Sequence, residues 1–96
     1  MLKKLDPLLH NELRLAIMSL LVGLESAEFK WLLEKTQSTR GNLSVQITKL
    51  KDKNYITVEK AFRDNYPLTT CSITDTGRKA FEDYVSAISD YLKPKN

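Results

Sequence analysis

The stretch of residues 38–53, STRGNLSVQITKLKDK, has the pattern of one helix together with the turn that leads into it. Leu43, Ile47 and Leu50 recur at the i, i+4, i+7 spacing of a single helical face, which predicts an inward apolar stripe. A serine or threonine at the start of the stretch supplies the N-cap, because its hydroxyl accepts a hydrogen bond from an early backbone amide.

The outward face of this helix, predicted over about residues 39–53, is short, polar and partly basic. On a helical wheel of about 100° per residue, the residues that point away from the apolar stripe are Gly41, Ser44, Val45, Thr48, Lys49 and Asp52. A helix that presents its first turns in this way fits the major groove of DNA. The alternative is an ordinary amphipathic helix whose polar face is only hydrated.

The composition is that of one small globular domain, residues 1–96, in which 42% of the residues are hydrophobic. No stretch approaches the roughly 20 apolar residues that span a bilayer, and polar residues interrupt the amino-terminal segment before an apolar run of signal-peptide length. We therefore expect a cytoplasmic protein. A single cysteine and a single histidine offer no recognisable zinc ligand set, so we expect no metal and no cofactor.

Positive charge is concentrated in the middle of the chain. Residues 35–63 contain seven basic and two acidic residues, whereas the remainder contains eight basic and ten acidic residues. A basic centre between slightly acidic flanks indicates that one part of the surface meets a polyanion. A basic run is, however, most often only solvated surface.

Two helices are predicted before the stretch. The first covers residues 7–22, with Asp6 as its N-cap and Gly23 where a C-terminal glycine is expected. The second covers about residues 27–35, with Ser26 as its N-cap, and a tight polar turn joins it to the stretch. The helix over about residues 27–35 and the helix of the stretch, joined in this way, form a helix-turn-helix pattern. We call the helix of the stretch the recognition helix.

After Asn54 the periodicity changes from helical to alternating, which predicts a strand that places Lys60 and Phe62 on one side and Arg63 on the other. Residues 63–67 have turn chemistry, and residues 69–74 can return as a second strand. A hairpin directly after a recognition helix is a wing, predicted here over about residues 55–74. Lys60 or Arg63 would contact a phosphate or enter the minor groove.

A last helix is predicted over about residues 75–92, with Thr74 or Asp75 as its cap. Its apolar stripe and the broad apolar surface of the first helix exceed what one small core covers, which predicts a homodimer through these two helices. The predicted interface residues are Leu9, Leu13, Leu20, Phe81, Tyr84, Val85, Ile88 and Tyr91.

The predicted fold is mainly α with a small β-hairpin, an α+β fold with three helices, a two-stranded wing and a C-terminal dimerisation helix. The chain resembles bacterial or archaeal winged-helix transcriptional regulators of the broad MarR/ArsR kind, and more narrowly the compact, single-domain winged-helix DNA-binding type. The resemblance covers nearly the whole chain. It lies in residues 5–9 with 14–17, residues 41–44 with Leu50 and 54–56, and residues 73–78 with Phe81.

The resemblance implies a homodimeric, sequence-specific regulator that binds double-stranded DNA, with the recognition helix in the major groove. Asn54 stands where relatives commonly have a glycine, and asparagine also tolerates positive φ. Leu68 follows Pro67 where relatives often carry a cation, so we expect only a secondary contact from the wing. The metal-binding cysteine pairs of some ArsR-type regulators are absent, so metal sensing does not carry over.

The candidate DNA-binding residues combine side chains that read base edges with side chains that hold phosphates. Arginine and asparagine read guanine and adenine bidentately, valine can touch a thymine methyl, and serine, threonine and lysine serve either role. The candidates are Thr39, Arg40, Gly41, Asn42, Ser44, Val45, Thr48, Lys49, Lys60 and Arg63. Gly41 either lets the backbone approach a phosphate or is merely tolerated there. We expect an inverted-repeat operator; a small-molecule effector is unknown.

Three other roles stay open. The main alternative function is a winged-helix module that binds another protein without specific DNA binding. An enzyme is the least favoured class, because His10 and Cys71 have no third residue that suggests a catalytic set. His10 is interpreted as a helix-surface residue and Cys71 as a small buried hydrophobe. Arg14 could pair with an acid or reach a phosphate.

Overall fold

The computed structural model describes residues 2–93, which form four helices and a three-stranded antiparallel sheet. The α+β winged-helix arrangement predicted from the sequence is confirmed, with one strand more than expected. The elements are α1 (Glu12–Leu24), β1 (Ser26–Glu28), α2 (Phe29–Thr36), α3 (Arg40–Asp52), β2 (Ile56–Arg63), β3 (Tyr66–Ile73) and α4 (Asp75–Leu92).

The recognition helix α3 packs on the core through the predicted stripe. Leu43 and Leu50 are fully buried and Ile47 is 6% exposed. Its N-cap is Thr39, whose Oγ1 accepts a hydrogen bond from the backbone nitrogen of Asn42 at 3.1 Å. The other fully buried side chains of the core are Leu9, Ile17, Met18, Leu21, Leu32, Ile56 and Cys71.

The first helix starts later and ends later than predicted. Asp6 caps a separate turn, in which its Oδ1 accepts from the backbone nitrogen of Leu8 at 2.9 Å. Asn11 then caps α1, because its Oδ1 accepts from the backbone nitrogen of Arg14 at 3.0 Å. Gly23 lies inside the helix, and the residue with positive φ after its end is Glu25, at 70°.

The second predicted helix was wrong at its start, because Ser26 begins a short strand instead of capping a helix. β1 pairs with β3 so that Ser26 lies opposite Ser72 and Glu28 opposite Thr70. β3 is therefore the central strand of the order β1-β3-β2. α2 begins only at Phe29 and has no side-chain cap.

The wing, Ile56–Ile73, agrees with its predicted range, but its second strand is longer and its turn tighter than predicted. Asp64 and Asn65, at φ values of 51° and 69°, form a two-residue turn between β2 and β3. Positive φ at both positions is the requirement of the type I′ turn, which suits the twist of a hairpin. Pro67, expected in the turn, belongs to β3 opposite Phe62. β1 pairs with β3 only from Thr70 onward, so Pro67 lies where β3 is an edge strand and a missing N–H is tolerated.

α4 is joined to the segment after α3 by a close backbone contact. Thr74, the N-cap, donates through Oγ1 to the carbonyl oxygen of Asn54 at 2.7 Å and accepts from the backbone nitrogen of Gly77 at 2.9 Å. Gly77 is buried, and a Cβ there would overlap the carbonyl oxygen of Tyr55 and lie 2.8 Å from its carbonyl carbon. Asn54 itself has φ of 63°, the conformation for which asparagine is suited.

Gly77→Ala is expected to destabilise the fold by about 1 to 3 kcal/mol or more, because the added methyl forces backbone apart from backbone. The matched control is Gly23→Ala, at a helical glycine with nothing within 4 Å of the added Cβ. That change should raise stability by about 0.5 to 1 kcal/mol through helix propensity. Urea unfolding of both variants measures the difference, and equal midpoints would contradict this account of the junction.

The segment before α1 is held by the side chain of Tyr55. Its hydroxyl donates to Oδ2 of Asp6 at 2.6 Å. Burial, followed by this hydrogen bond and the charge of Asp6, raises the pKa of Tyr55 from 10.0 to about 12. The contact therefore favours the protonated phenol and ties the turn after Asp6 to the segment that follows α3.

This contact predicts a loss of stability at alkaline pH. The unfolded chain loses the tyrosine proton near pH 10 and the folded chain near pH 12, so the contribution of Tyr55 is complete below pH 10 and is lost as the pH rises to about 12. In Tyr55→Phe, the free energy of unfolding should fall less steeply across this window than in the wild type. Tyr66→Phe, at a side chain that is 75% exposed, is the control and should keep the wild-type slope.

Among residues 2–93, no helix has the length and apolar character required to cross a membrane.

Candidate nucleic-acid interface

The candidate DNA-binding residues all lie on the surface of the chain. The eight candidates on the recognition helix and its cap, which lie between Thr39 and Lys49, are exposed, as are Lys60 and Arg63 on the wing. Val45 is an apolar side chain on this surface and is 51% exposed. Burial of the inward stripe thus leaves the opposite face of α3 accessible. Among its polar groups, Val45 is an apolar side chain of the kind that contacts a thymine methyl group.

A cleft of about 350 Å³ separates the recognition helix from the wing. Arg40, Ser44, Thr48 and Lys51 line one side at near-helical spacing, and Lys60 with Thr69 lines the other. Arg40, Lys51 and Lys60 give the cleft three positive charges, and none of its lining residues among the described part of the chain is acidic. An anionic strand that entered the cleft would meet charge of the opposite sign from both walls.

Lys51 is a cleft residue that the sequence prediction left out. It lies eleven positions after Arg40, which is close to three helical turns, so both project from the same side of α3. The predicted set was centred on the face opposite the apolar stripe, whereas Lys51 lies toward the wing. The i, i+4, i+8, i+11 spacing of these residues was visible in the sequence, but the position of the wing beside them was not.

Arg40 is held by an aromatic ring at the start of α2. Its guanidinium carbon lies 5.9 Å from the centroid of Phe29, within the range of a cation–π contact. Phe29 and Arg40 also line a second cleft, of about 550 Å³, which reaches Arg63 and Tyr66 near the tip of the wing. Stacking on Phe29 restricts the side chain of Arg40. Less conformational entropy is therefore lost when this side chain is fixed by a ligand.

The other edge of α3 carries a chain of hydrogen bonds that reaches into the molecule. The half-buried Arg14 donates through Nε to the carbonyl oxygen of Leu8 at 2.5 Å and through Nη1 to Oε1 of Gln46. Nε2 of Gln46 donates to Oδ1 of Asn42 at 3.0 Å. Neither role considered for Arg14 from the sequence is the one seen, since its partners in the structure are a backbone carbonyl and an amide.

The two wing cations lie on opposite faces of the hairpin. Lys60 pairs in register with Thr69 and faces the cleft beside α3, whereas Arg63 pairs with Tyr66 near the tip. Two aromatic side chains at the tip are strongly exposed, Phe62 at 78% and Tyr66 at 75%. Phe62 was predicted only as a member of an alternating strand, so its position beyond the core was missed.

The candidate dimer residues divide into three groups. Leu9 is fully buried and Tyr84 is 5% exposed, so both pack in the core of the single chain. Tyr91 donates through its hydroxyl to the carbonyl oxygen of Lys3 at 3.0 Å. The remaining residues are at least partly exposed and are Leu13, Leu20, Phe81, Val85 and Ile88.

His10 contacts another side chain of the protein, and Cys71 is buried in the core. His10 lies in the turn before α1 rather than on a helix, and its Nδ1 is 2.8 Å from the hydroxyl of Tyr84. Cys71 is fully buried, and burial raises the pKa of its thiol to about 11. Within residues 2–93, no group of three or more His, Cys, Asp or Glu side chains is arranged to hold a metal ion.

A comparison with protein families matches residues 13–92 to the winged helix DNA-binding domain. The chain belongs to this family. The match runs from α1 to the end of α4, so it includes the recognition helix and the wing. The cleft and its cations therefore belong to a type of domain whose function is DNA binding.

The chain is similar to one curated relative and to several solved structures. It is 35% identical over 84 residues to an uncharacterized protein of Methanocaldococcus jannaschii, covering 88% of this chain and 91% of that protein. A transcriptional regulator homologue from Pyrococcus horikoshii superposes with a TM-score of 0.84 and 28% identity, over 88% of this chain and 84% of the other. A PadR-like transcription factor from Bacteroides fragilis shares the fold, with a TM-score of 0.76, 20% identity and 84% coverage of both chains.

Proposed function

We propose that this protein is a homodimeric transcriptional regulator that recognises a specific double-stranded DNA sequence, an inverted repeat. The recognition helix α3 would enter the major groove, and the wing would lie on the backbone or in the minor groove. We place the protein in the cytoplasm, where chromosomal DNA is accessible, and within the broad MarR/ArsR kind that its sequence resembles.

The cationic cleft between α3 and the wing is the observation that carries the proposal. Its lining residues Arg40 and Lys51 stand on the helix, Lys60 stands on the wing, and all three are exposed. Phosphate contacts supply affinity, while the exposed Asn42, Ser44, Val45 and Thr48 supply groups that can reach base edges. Gly41 has open space where a side chain would be, so the backbone of the first turn can also approach a phosphate.

Arg40→Ala and Lys49→Ala are expected to weaken DNA binding. A lost phosphate contact should flatten the dependence of log affinity on log salt by about one unit and act uniformly on all sequences, whereas a lost base contact should cost roughly 1 to 3 kcal/mol at one base position. Titration of a selected duplex at several salt concentrations separates these results. Lys79→Ala removes the same charge from the exposed surface of α4 and should leave binding unchanged.

The wing should contribute less than the helix. Arg63 and Lys60 lie on opposite faces of the hairpin, and Leu68 stands where relatives often carry a cation. No single face of the wing therefore presents several cations to DNA. Lys60→Ala with Arg63→Ala should therefore reduce affinity less than the changes on α3. Normal binding by the Arg40 and Lys49 variants, with binding abolished by the double wing variant, would reverse this ranking.

The dimer is proposed through a second apolar stripe on α4. Gly77, Tyr84 and Ala87 form the face that α4 buries within its own chain. Phe81, Val85, Ile88 and Leu92 follow the i, i+4, i+7, i+11 spacing of an adjoining stripe, in which Phe81 and Ile88 are half-buried against the core. Val85 is 45% exposed and Leu92 is 78% exposed, which is unusual for an apolar helix face that remains in water.

This stripe makes the dimer testable without disturbing the core. Val85→Glu should yield folded monomers, because it places an unpaired charge at the proposed seam and not among the buried residues. Ser86→Glu, on the exposed neighbour that lies off the stripe, is the matched control and should remain dimeric. Sedimentation of a wild-type monomer at tens of micromolar, both free and on DNA, would exclude the proposed dimer.

The two copies would present two α3 helices to half-sites about one helical turn apart, or about 34 Å, which gives the specificity that one short helix lacks.

The alternative, a module that binds another protein, predicts no affinity for DNA even at low salt. A steep loss of DNA affinity between low and moderate salt supports the regulator instead.

A further inference from the structure

The hydrogen-bond chain Arg14–Gln46–Asn42 has a fixed direction. A guanidinium group carries N–H donors and no acceptor, so Arg14 can only donate. Gln46 meets it with Oε1 and therefore turns Nε2 toward Asn42, which accepts with Oδ1. The orientation of both amides thus follows from the arginine at the start of the chain.

Arg14 is itself held in place from the other side. Its Nε donates to the carbonyl oxygen of Leu8, and its backbone nitrogen donates to Oδ1 of Asn11, the cap of α1. Arg14 and Gln46 are both half-buried, whereas Asn42 is exposed in the first turn of α3. The chain therefore leads from a fixed donor inside the molecule to an amide in the part of the recognition helix that contacts bases.

We infer that the hydrogen-bond chain Arg14–Gln46–Asn42 determines which base edge Asn42 reads. The hydrogen bond from Gln46 directs Oδ1 toward that side chain, so the Nδ2 group, with its two N–H donors, is the part of the Asn42 amide that is directed away from Gln46 and can approach DNA. Guanine presents two acceptors in the major groove, N7 and O6, whereas cytosine presents only a donor. The inference rests on the proposed function and adds that Asn42 favours guanine over cytosine at its base, with Arg14 and Gln46 as positioning residues.

Selection from randomised duplex DNA tests the inference. The wild-type protein should enrich a sequence, and Asn42→Ala should lose the preference at one base position, where guanine is about tenfold favoured. Gln46→Glu should reverse that preference toward cytosine. A carboxylate accepts from Arg14 and also from Nδ2 of Asn42, so Asn42 would turn Oδ1 outward as an acceptor.

Gln46→Met is the matched control for this reversal, since it keeps the side-chain length and offers no strong hydrogen bond to either neighbour. It should relax the preference at the same position without inverting it. The negative charge of Gln46→Glu lowers affinity for all sequences alike, which is distinguishable from a change at one position. Circular dichroism confirms the fold of each variant.

Retention of guanine at that position by folded Gln46→Glu would overturn the inference, as would equal base preferences in wild type and Asn42→Ala. In both cases the wild-type protein still selects a sequence, so the proposed function stands. Failure of the wild type to enrich any sequence would instead remove the proposed function, and the inference with it.

Discussion

The burial of Leu43, Ile47 and Leu50 fixes the rotation of α3, and the candidate interface depends on that rotation. With these side chains in the core, Arg40, Ser44, Thr48 and Lys51 necessarily face the wing, and the opposite edge carries Asn42. Truncation of one buried leucine to alanine costs about 2 to 5 kcal/mol, a large part of the roughly 5 to 15 kcal/mol that stabilises a domain. Stability and the presentation of the candidate interface therefore rest on the same contact.

The sequence predicted the long periodic elements well, and the three-residue strand β1 and the start of α1 poorly. The stripe of α3 and the Thr74 cap of α4 were visible because each depends on residues close together in the chain. β1 has three residues, too few for an alternating pattern, and its pairing partner β3 is more than forty residues away. Asp6 resembled a helix cap because it does cap a turn, and only Asn11 after it shows that the helix begins later.

The candidate site was predictable as a surface but not as an arrangement. Exposure of the ten candidates on α3 and the wing follows from their positions opposite the apolar stripe and on the hairpin. The contact between Arg14 and Gln46 spans 32 positions, and the ring of Phe29 under Arg40 belongs to another helix. Such contacts depend on how elements pack, for which one sequence gives no signal. They decide which groups of the candidate interface are held in a fixed orientation by the rest of the fold.

α4 shows why a helical pattern alone does not separate a core from an interface. A wheel drawn from the sequence merges Tyr84 with Val85 and Ile88 into one broad apolar face, whereas the structure assigns Tyr84 to the core and leaves Val85 exposed. The first turn of α4 is also fixed to the segment after α3, through Gly77 against Tyr55 and Thr74 on Asn54. In the proposed dimer, α4 would therefore connect the seam between copies to the recognition helix. A change in how two α4 helices pack would alter the distance between the two α3 helices, and with it the half-site spacing that the dimer accepts.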